Sequence, residues 1–179
     1  METPARQYRT EAKPRRDAIS KHDLLSTAVE HVDITAFDAR PILAAYSKMA
    51  FQARNLATAA GIYERMLRDE SCAIILCLAG SLFSAGLKRV VRDLVRYAMV
   101  DAIVATGAIV VDQDFFEGLG FKHYRGEVLV DDEDLRQKGI DRIYDTFIDE
   151  EELRDCDMTV ARIADALDAR PYSSQEFLY

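Results

Sequence analysis

Residues 73–79 read Ala-Ile-Ile-Leu-Cys-Leu-Ala, and residues 100–106 read Val-Asp-Ala-Ile-Val-Ala-Thr. Both are short, nearly unbroken apolar runs, the pattern of strands covered on both faces. Between them a helical pattern runs from Ser84 to about Tyr97, with Leu87, Val90, Val91, Leu94 and Val95 on one face. Strand, helix and strand in so short a span make a βαβ unit, whose two strands lie parallel. The fold class is α/β.

Upstream, apolar spacing predicts a helix from about Pro41 to Arg68, with Asp38 close enough to help cap it. Downstream, a glycine turn leads to a short helix over Gln113–Leu119. The stretch from His123 to Phe147 is mixed, and a longer helix is expected from about Glu150 to Leu167, acidic in its first turn. Ser173-Ser-Gln-Glu176 has capping-box spacing and opens a helix whose first turn carries Phe177, Leu178 and Tyr179. Two strands fall short of a usual sheet, so the sheet is expected to be incomplete in this chain.

Of 179 residues, 49% are apolar and 30% charged, a globular mixture. A net charge of −8 argues against phosphate backbones, and so against nucleic acid as partner. No apolar run is long enough for a membrane span, and no secretory signal opens the sequence. Cys72, Cys77 and Cys156 are too few for a disulfide framework; Cys72 and Cys77 read as small core residues. Together these features predict a reduced, cytoplasmic protein. The first sixteen residues carry five basic and two acidic side chains, and residues 1–32 read as a basic, flexible arm preceding one domain over 33–179.

Ligands of parallel sheets bind at the carboxyl ends of the strands. Here those ends are Ala79-Gly-Ser-Leu-Phe-Ser-Ala-Gly86 and Ala105-Thr-Gly-Ala-Ile109. Gly80 and Gly86 would let backbone approach a ligand, or would serve turns and helix packing. Ser81 and Ser84 could bond phosphate or ribose. The segment is neither a Walker loop nor a GxGxxG fingerprint. Asp112 could face a cationic amine or cap the helix beside it. His123 reads as structural, and His22 and His31 carry no metal spacing.

Ala79-Gly-Ser-Leu-Phe-Ser-Ala-Gly-Leu-Lys-Arg-Val-Val-Arg-Asp-Leu-Val95 and Met99-Val-Asp-Ala-Ile-Val-Ala-Thr-Gly-Ala108 resemble the deoxyhypusine synthase family. So do Phe51-Gln-Ala-Arg-Asn55, Asp114-Phe-Phe-Glu-Gly-Leu-Gly-Phe-Lys-His-Tyr124, Gly139-Ile-Asp-Arg-Ile143 and Arg170-Pro-Tyr-Ser-Ser-Gln-Glu176, the last three in the manner of its archaeal and bacterial branch. The resemblance implies a Rossmann-like parallel sheet with helices on both faces, assembled as a homotetramer. It implies NAD as cofactor and spermidine as donor of a 4-aminobutyl group, which passes through an enzyme lysine to a lysine of the hypusine-containing translation factor precursor. The family's first cofactor loop falls on Gly80, Ser81, Leu82, Phe83 and Ser84, and its second on Thr106, Gly107 and Ala108. Ser81 stands where the family commonly has asparagine. The family's paired glutamates near cofactor and amine fall on Val111 and Asp112 without a gap, or on Asp112 and Gln113 with a one-residue shift. Asp112 is the expected substrate-binding carboxylate.

The family's nucleophilic lysine lies in a Trp-Gly-Lys context, and this sequence has no tryptophan. Of its six lysines, Lys88 is the nearest candidate, on an arginine-rich helix, but it reads as a solvated surface charge. The chain is therefore expected to be the N-terminal half of such an enzyme, inactive alone. One alternative passes the butylamine to a small diamine, as in homospermidine synthesis. Another is a non-catalytic, NAD-binding or regulatory subunit that pairs with a full-length relative. The expected partners are thus a polyamine, an acceptor protein or diamine, and either further copies or a chain supplying the missing half.

Overall fold

The computed structural model describes residues 19–178. Its first element is one helical turn, α1 (Lys21–Leu24), closed by a capping box: Ser20 Oγ accepts from Asp23 N–H, and the Asp23 carboxylate accepts from Ser20 N–H at 3.1 Å. The chain then runs along the body. Val29 N–H donates to His123 O at 2.8 Å, Val32 N–H donates to Gly86 O at 3.1 Å, and Arg89 donates to Asp33 at 2.5 Å. Residues 19–32 of the expected arm thus include a capped turn and a hydrogen-bonded strap. Residues 1–18 lie outside the described residues.

The helix expected over 41–68 is two helices, α2 (Arg40–Tyr46) and α3 (Phe51–Arg68). Phe51 takes φ +53°, a left-handed conformation that interrupts the helix despite favourable apolar spacing on either side. The N-cap is Ala39, without a side-chain cap; Asp38, one position before it, accepts from Arg40 N–H at 3.0 Å through Oδ1.

The βαβ unit follows. Strand β1 (Ile75–Leu78) leads through a wide turn over 83–87 to α4 (Lys88–Arg96), then to β2 (Ala102–Ala105). The strands are parallel, with Ile75 opposite Ala102 and Leu78 opposite Ala105. Tyr63 OH donates to Met99 O at 2.7 Å, tying α3 to the approach to β2. Leu78, Phe83, Val91 and Ile109 form the buried core of this unit. The expectation of strands covered on both faces is not met: Ile75 is 61% and Val104 59% exposed. Two strands and one crossover helix have too little surface to cover both faces. Cys77 is exposed and Cys72 half-buried, so neither is the core residue expected; Cys156 is buried.

After β2 the chain turns at once into α5 (Gly107–Ile109), a π-helical turn (Val110–Phe115) and α6 (Phe116–Gly118). The helical stretch therefore starts six positions before the expected Gln113. Ile109, Val110 and Val111 are poor helix formers by local preference, but burial of Ile109 in the core overrides that preference.

The mixed region resolves into β3 (Tyr124–Arg125), α7 (Asp132–Gln137), β4 (Ile140–Ile143) and β5 (Thr146–Asp149). The strands form a separate antiparallel sheet in the order β3-β5-β4, over a core of Leu135, Ile140 and Phe147. Helix α8 (Glu150–Ala166) starts where its acidic first turn predicts; Asp149 Oδ1 accepts from Glu151 N–H at 2.9 Å. Cys156 of α8 packs with Phe116 and Ile148 in a third cluster. The final capping box forms as spaced, with Glu176 accepting from Ser173 N–H at 2.9 Å, and it opens α9 (Ser174–Leu178). The architecture is mixed α/β with a small parallel sheet. Among the described residues no helix is long and apolar enough to cross a membrane.

Candidate functional site

Parallel pairing of β1 and β2 brings the turns that follow them side by side. A Cβ built on Gly80 would stand 3.6 Å from both Ala108 Cβ and Thr106 Oγ1. One built on Gly107 would have nothing within 4 Å, so this backbone is open to approach. Gly80, which opens the first turn, thus lies next to Thr106 and Ala108, while Phe83 and Ser84 are buried. Gly86 is used otherwise. It is buried at φ +92°, and the approaching group is the backbone of Glu30, whose oxygen would lie 2.7 Å from an added Cβ. At Gly86 packing, rather than a ligand, requires the glycine.

Ser81 takes φ +78°, a left-handed conformation unusual for any residue but glycine or asparagine. Its carbonyl starts the next turn, accepting from Ala85 N–H at 3.1 Å and from Ser84 Oγ–H at 2.9 Å. The family's usual asparagine suits this conformation, so the serine keeps the turn at some cost in strain. Ser81→Asn is expected to raise stability by about 0.5–1 kcal/mol, and Ser81→Val to lower it by about 1–2 kcal/mol. Urea denaturation of both variants checks this; equal midpoints would mean that the left-handed turn carries no strain.

Asp112 lies within the π-helical turn, far from the helix start at Gly107, so it does not cap the helix. It is half-buried near α8. Burial first, and the Asp157 carboxylate second, push its carboxyl above the ordinary aspartate value. Cys156 Sγ–H donates to the neighbouring Val111 O at 3.5 Å. The next residue, Gln113, faces the other way, and its Oε1 accepts from Phe83 N–H at 2.9 Å and Ser84 N–H at 3.0 Å. A π turn takes one residue more than an α turn.

A charged cluster lies beyond the second turn. Glu117 bonds His31 Nε2 at 2.8 Å through one carboxylate oxygen and His123 Nδ1 at 2.9 Å through the other. Lys88 Nζ stands 3.4 Å from Glu117 and 2.9 Å from Asp114, and donates to Asp114 O at 3.0 Å. Lys88 is thus a half-buried partner of two carboxylates, not the solvated charge expected, and its ammonium donors are engaged. The His123 side chain is fully buried against Glu117. Burial pulls the Glu117 carboxyl up, but the bond from His123 and the interactions with His31 outweigh it and hold the group below the usual glutamate range. Among the described residues no group of His, Cys, Asp or Glu is arranged to hold a metal. Beside the cluster a groove of about 860 Å³ runs past Leu78, Phe83, Val91 and Ile109 to Leu178. Neither Asp112 nor Gly80, Ser81, Thr106 or Gly107 lines it. Gln113, His31 and Glu117 have no place in the sequence reading as a set, because their partners are distant in the chain.

The family model for deoxyhypusine synthase matches residues 41–179. A deoxyhypusine synthase-like protein of Coxiella burnetii is 58% identical over 159 residues, which cover 89% of this chain and 45% of that protein. One from Chlorobaculum parvum is 53% identical over 161 residues, covering 90% and 46%. A probable deoxyhypusine synthase 2 of Methanosarcina mazei is 39% identical over 132 residues, covering 74% and 38%. The chain spans about half the length of the curated relatives it matches. By the extent of the family match and the strength of these identities, the chain belongs to the deoxyhypusine synthase family.

Proposed function

We propose that the chain contributes the two cofactor turns of an NAD-dependent aminobutyl transfer from spermidine to a lysine of the hypusine-containing translation factor precursor. The observation that carries this is the adjacency of Gly80 with Thr106 and Ala108 in a member of this family. Gly80, Ser81 and Leu82 hold one side of the dinucleotide, and Thr106, Gly107 and Ala108 the other, with Phe83 and Ser84 supporting the first turn from beneath. The open backbone at Gly107 leaves room for such a group. When bound, NAD takes a hydride from spermidine; the chain's own part is to bind and orient. Asp112, half-buried and with no cationic partner among the described residues, is the candidate for an ammonium of the polyamine.

No lysine of this sequence lies in the Trp-Gly-Lys context of the family's transferring lysine, and Lys88, the nearest candidate, is paired with Asp114 and Glu117, so the transferring lysine is sought outside this chain. On this reading the exposed apolar faces of β1 and β2 belong to a larger Rossmann-like sheet, with helices on both faces, completed by polypeptide equivalent to the rest of the relatives' length. Residues 33–179 form the N-terminal part of that NAD-binding domain, which works in the cytoplasm as a homo-oligomer.

The engaged state of Lys88 also favours a second reading, a non-catalytic NAD-binding subunit that pairs with a full-length relative. Transfer to a small diamine is a variant of the first. Titration of the purified chain with NAD, followed by spermidine, tests the reading. Saturable NAD binding without spermidine-dependent NADH formation is expected, with NADH appearing once the remaining half of a relative is co-expressed. Failure to bind NAD in either form overturns it. NADH formation that needs a full-length relative, and never the isolated half, selects the subunit reading.

A further inference from the structure

Gln113 is 2% exposed and reaches across thirty positions of chain to the first turn, where one side-chain oxygen accepts from two successive backbone amides. Those amides belong to Phe83, 7% exposed, and Ser84, 1% exposed, so without Gln113 they would be buried donors lacking a partner. Successive amides at the start of a helical segment are the groups that elsewhere take an anion. Here a side chain of the second turn already occupies them. The wide turn over 83–87 contains one left-handed residue, Gly86 at φ +92°, and follows another, Ser81 at φ +78°, a backbone course that local preference alone does not hold.

The geometry points to Gln113 as a positioning residue that acts on the ligand through the backbone of Phe83 and Ser84. By filling the inward amides of the first turn it fixes the course of Gly80–Leu82 beside Thr106–Ala108. It also leaves the phosphates of a dinucleotide to groups on the open side of the turns. Because Gln113 sits in the π-helical turn that follows β2, it couples the second turn to the first. This assignment rests on the NAD reading above and names a residue outside the candidate contact set.

The test compares Gln113→Met, which keeps side-chain length without an acceptor, with Gln113→Glu, which keeps the acceptor. Two quantities are read: the NAD dissociation constant of the chain, and the hydrogen-exchange rates of the Phe83 and Ser84 amides without ligand. Gln113→Met is expected to weaken NAD binding about tenfold and to speed exchange of both amides at least as much, since two buried bonds are lost. Gln113→Glu is expected to restore amide protection and most of the affinity. Should Gln113→Met not fold, Gln113→Asn, whose shorter side chain withdraws the oxygen, serves the same comparison. Fast amide exchange with unchanged NAD affinity overturns the positioning role. So does an acceptor variant that protects the amides yet binds as weakly as Gln113→Met. A wild-type chain with protected amides and no NAD binding fails at the functional reading instead, and removes the ligand from this one too.

Discussion

Alanine at position 86 is expected to destabilise the chain by about 3 kcal/mol, enough to lower Tm by roughly 10 °C in a domain of this size. Two costs coincide there. At φ +92° an L side chain enters a conformation that its own Cβ opposes. That Cβ would also stand 2.7 Å from Glu30 O, a backbone atom that cannot rotate aside. Moving the strap away is no cheap escape, because Val32 N–H donates to Gly86 O and Val29 N–H to His123 O on either side of the contact. Gly80→Ala provides the contrast. Its new methyl would meet Ala108 Cβ and Thr106 Oγ1 at 3.6 Å, an ordinary contact, so stability should change by no more than about 0.5 kcal/mol. The same methyl narrows the space between the two turns, so NAD binding should weaken. Denaturation and NAD titration of both variants separate the roles. Equal stability loss in the two would mean that the strap does not pack on Gly86 as described.

The contrast also marks where sequence reasoning stops. Gly80 and Gly86 look equivalent in Ala79-Gly-Ser-Leu-Phe-Ser-Ala-Gly86, since the atom that distinguishes them belongs to Glu30, more than fifty positions away. Features with local causes were legible: the βαβ unit from two apolar runs, the start of α8 from its acidic turn, the start of α9 from Ser173 and Glu176. The antiparallel sheet was not. Its strand β3 has two residues, too few for a period, and the β4–β5 hairpin turns through Tyr144 at φ +57°, without the glycine or asparagine that marks such turns. Near the candidate site, the adjacency of the two turns follows from parallel strands and could be anticipated. The Gln113 clamp and the bonds of Glu117 to His31 join distant elements, and no spacing rule announces them.

Glu117→Ala is expected to cost about 2–4 kcal/mol, since it takes the shared acceptor from two histidine rings at once. Glu117 is the common acceptor for His31, from the strap, and His123, from the approach to β3, and it lies within reach of Lys88 on α4. Among the described residues His123 Nε2 and His31 Nδ1 have no hydrogen-bond partner, so loss of the carboxylate would leave both nitrogens of the buried His123 ring, and of the half-buried His31 ring, unpaired. Glu117→Gln keeps the shape and one acceptor, and should cost less. The charge contributes with a definite sign. The carboxyl titrates lower in the folded chain than its ordinary value of 4.5. Its stabilisation is therefore complete above that value and lost as pH falls through the lower, folded one. Asp112 and Glu152 shift the other way, chiefly by burial, and so favour the fold as they protonate. They are common to wild type and Glu117→Gln and cancel in the difference between them. That difference, taken from urea midpoints across acidic pH, should shrink below about pH 4.5. A difference that stays constant into that range would show that the charge on Glu117 is not what joins the strap to the body.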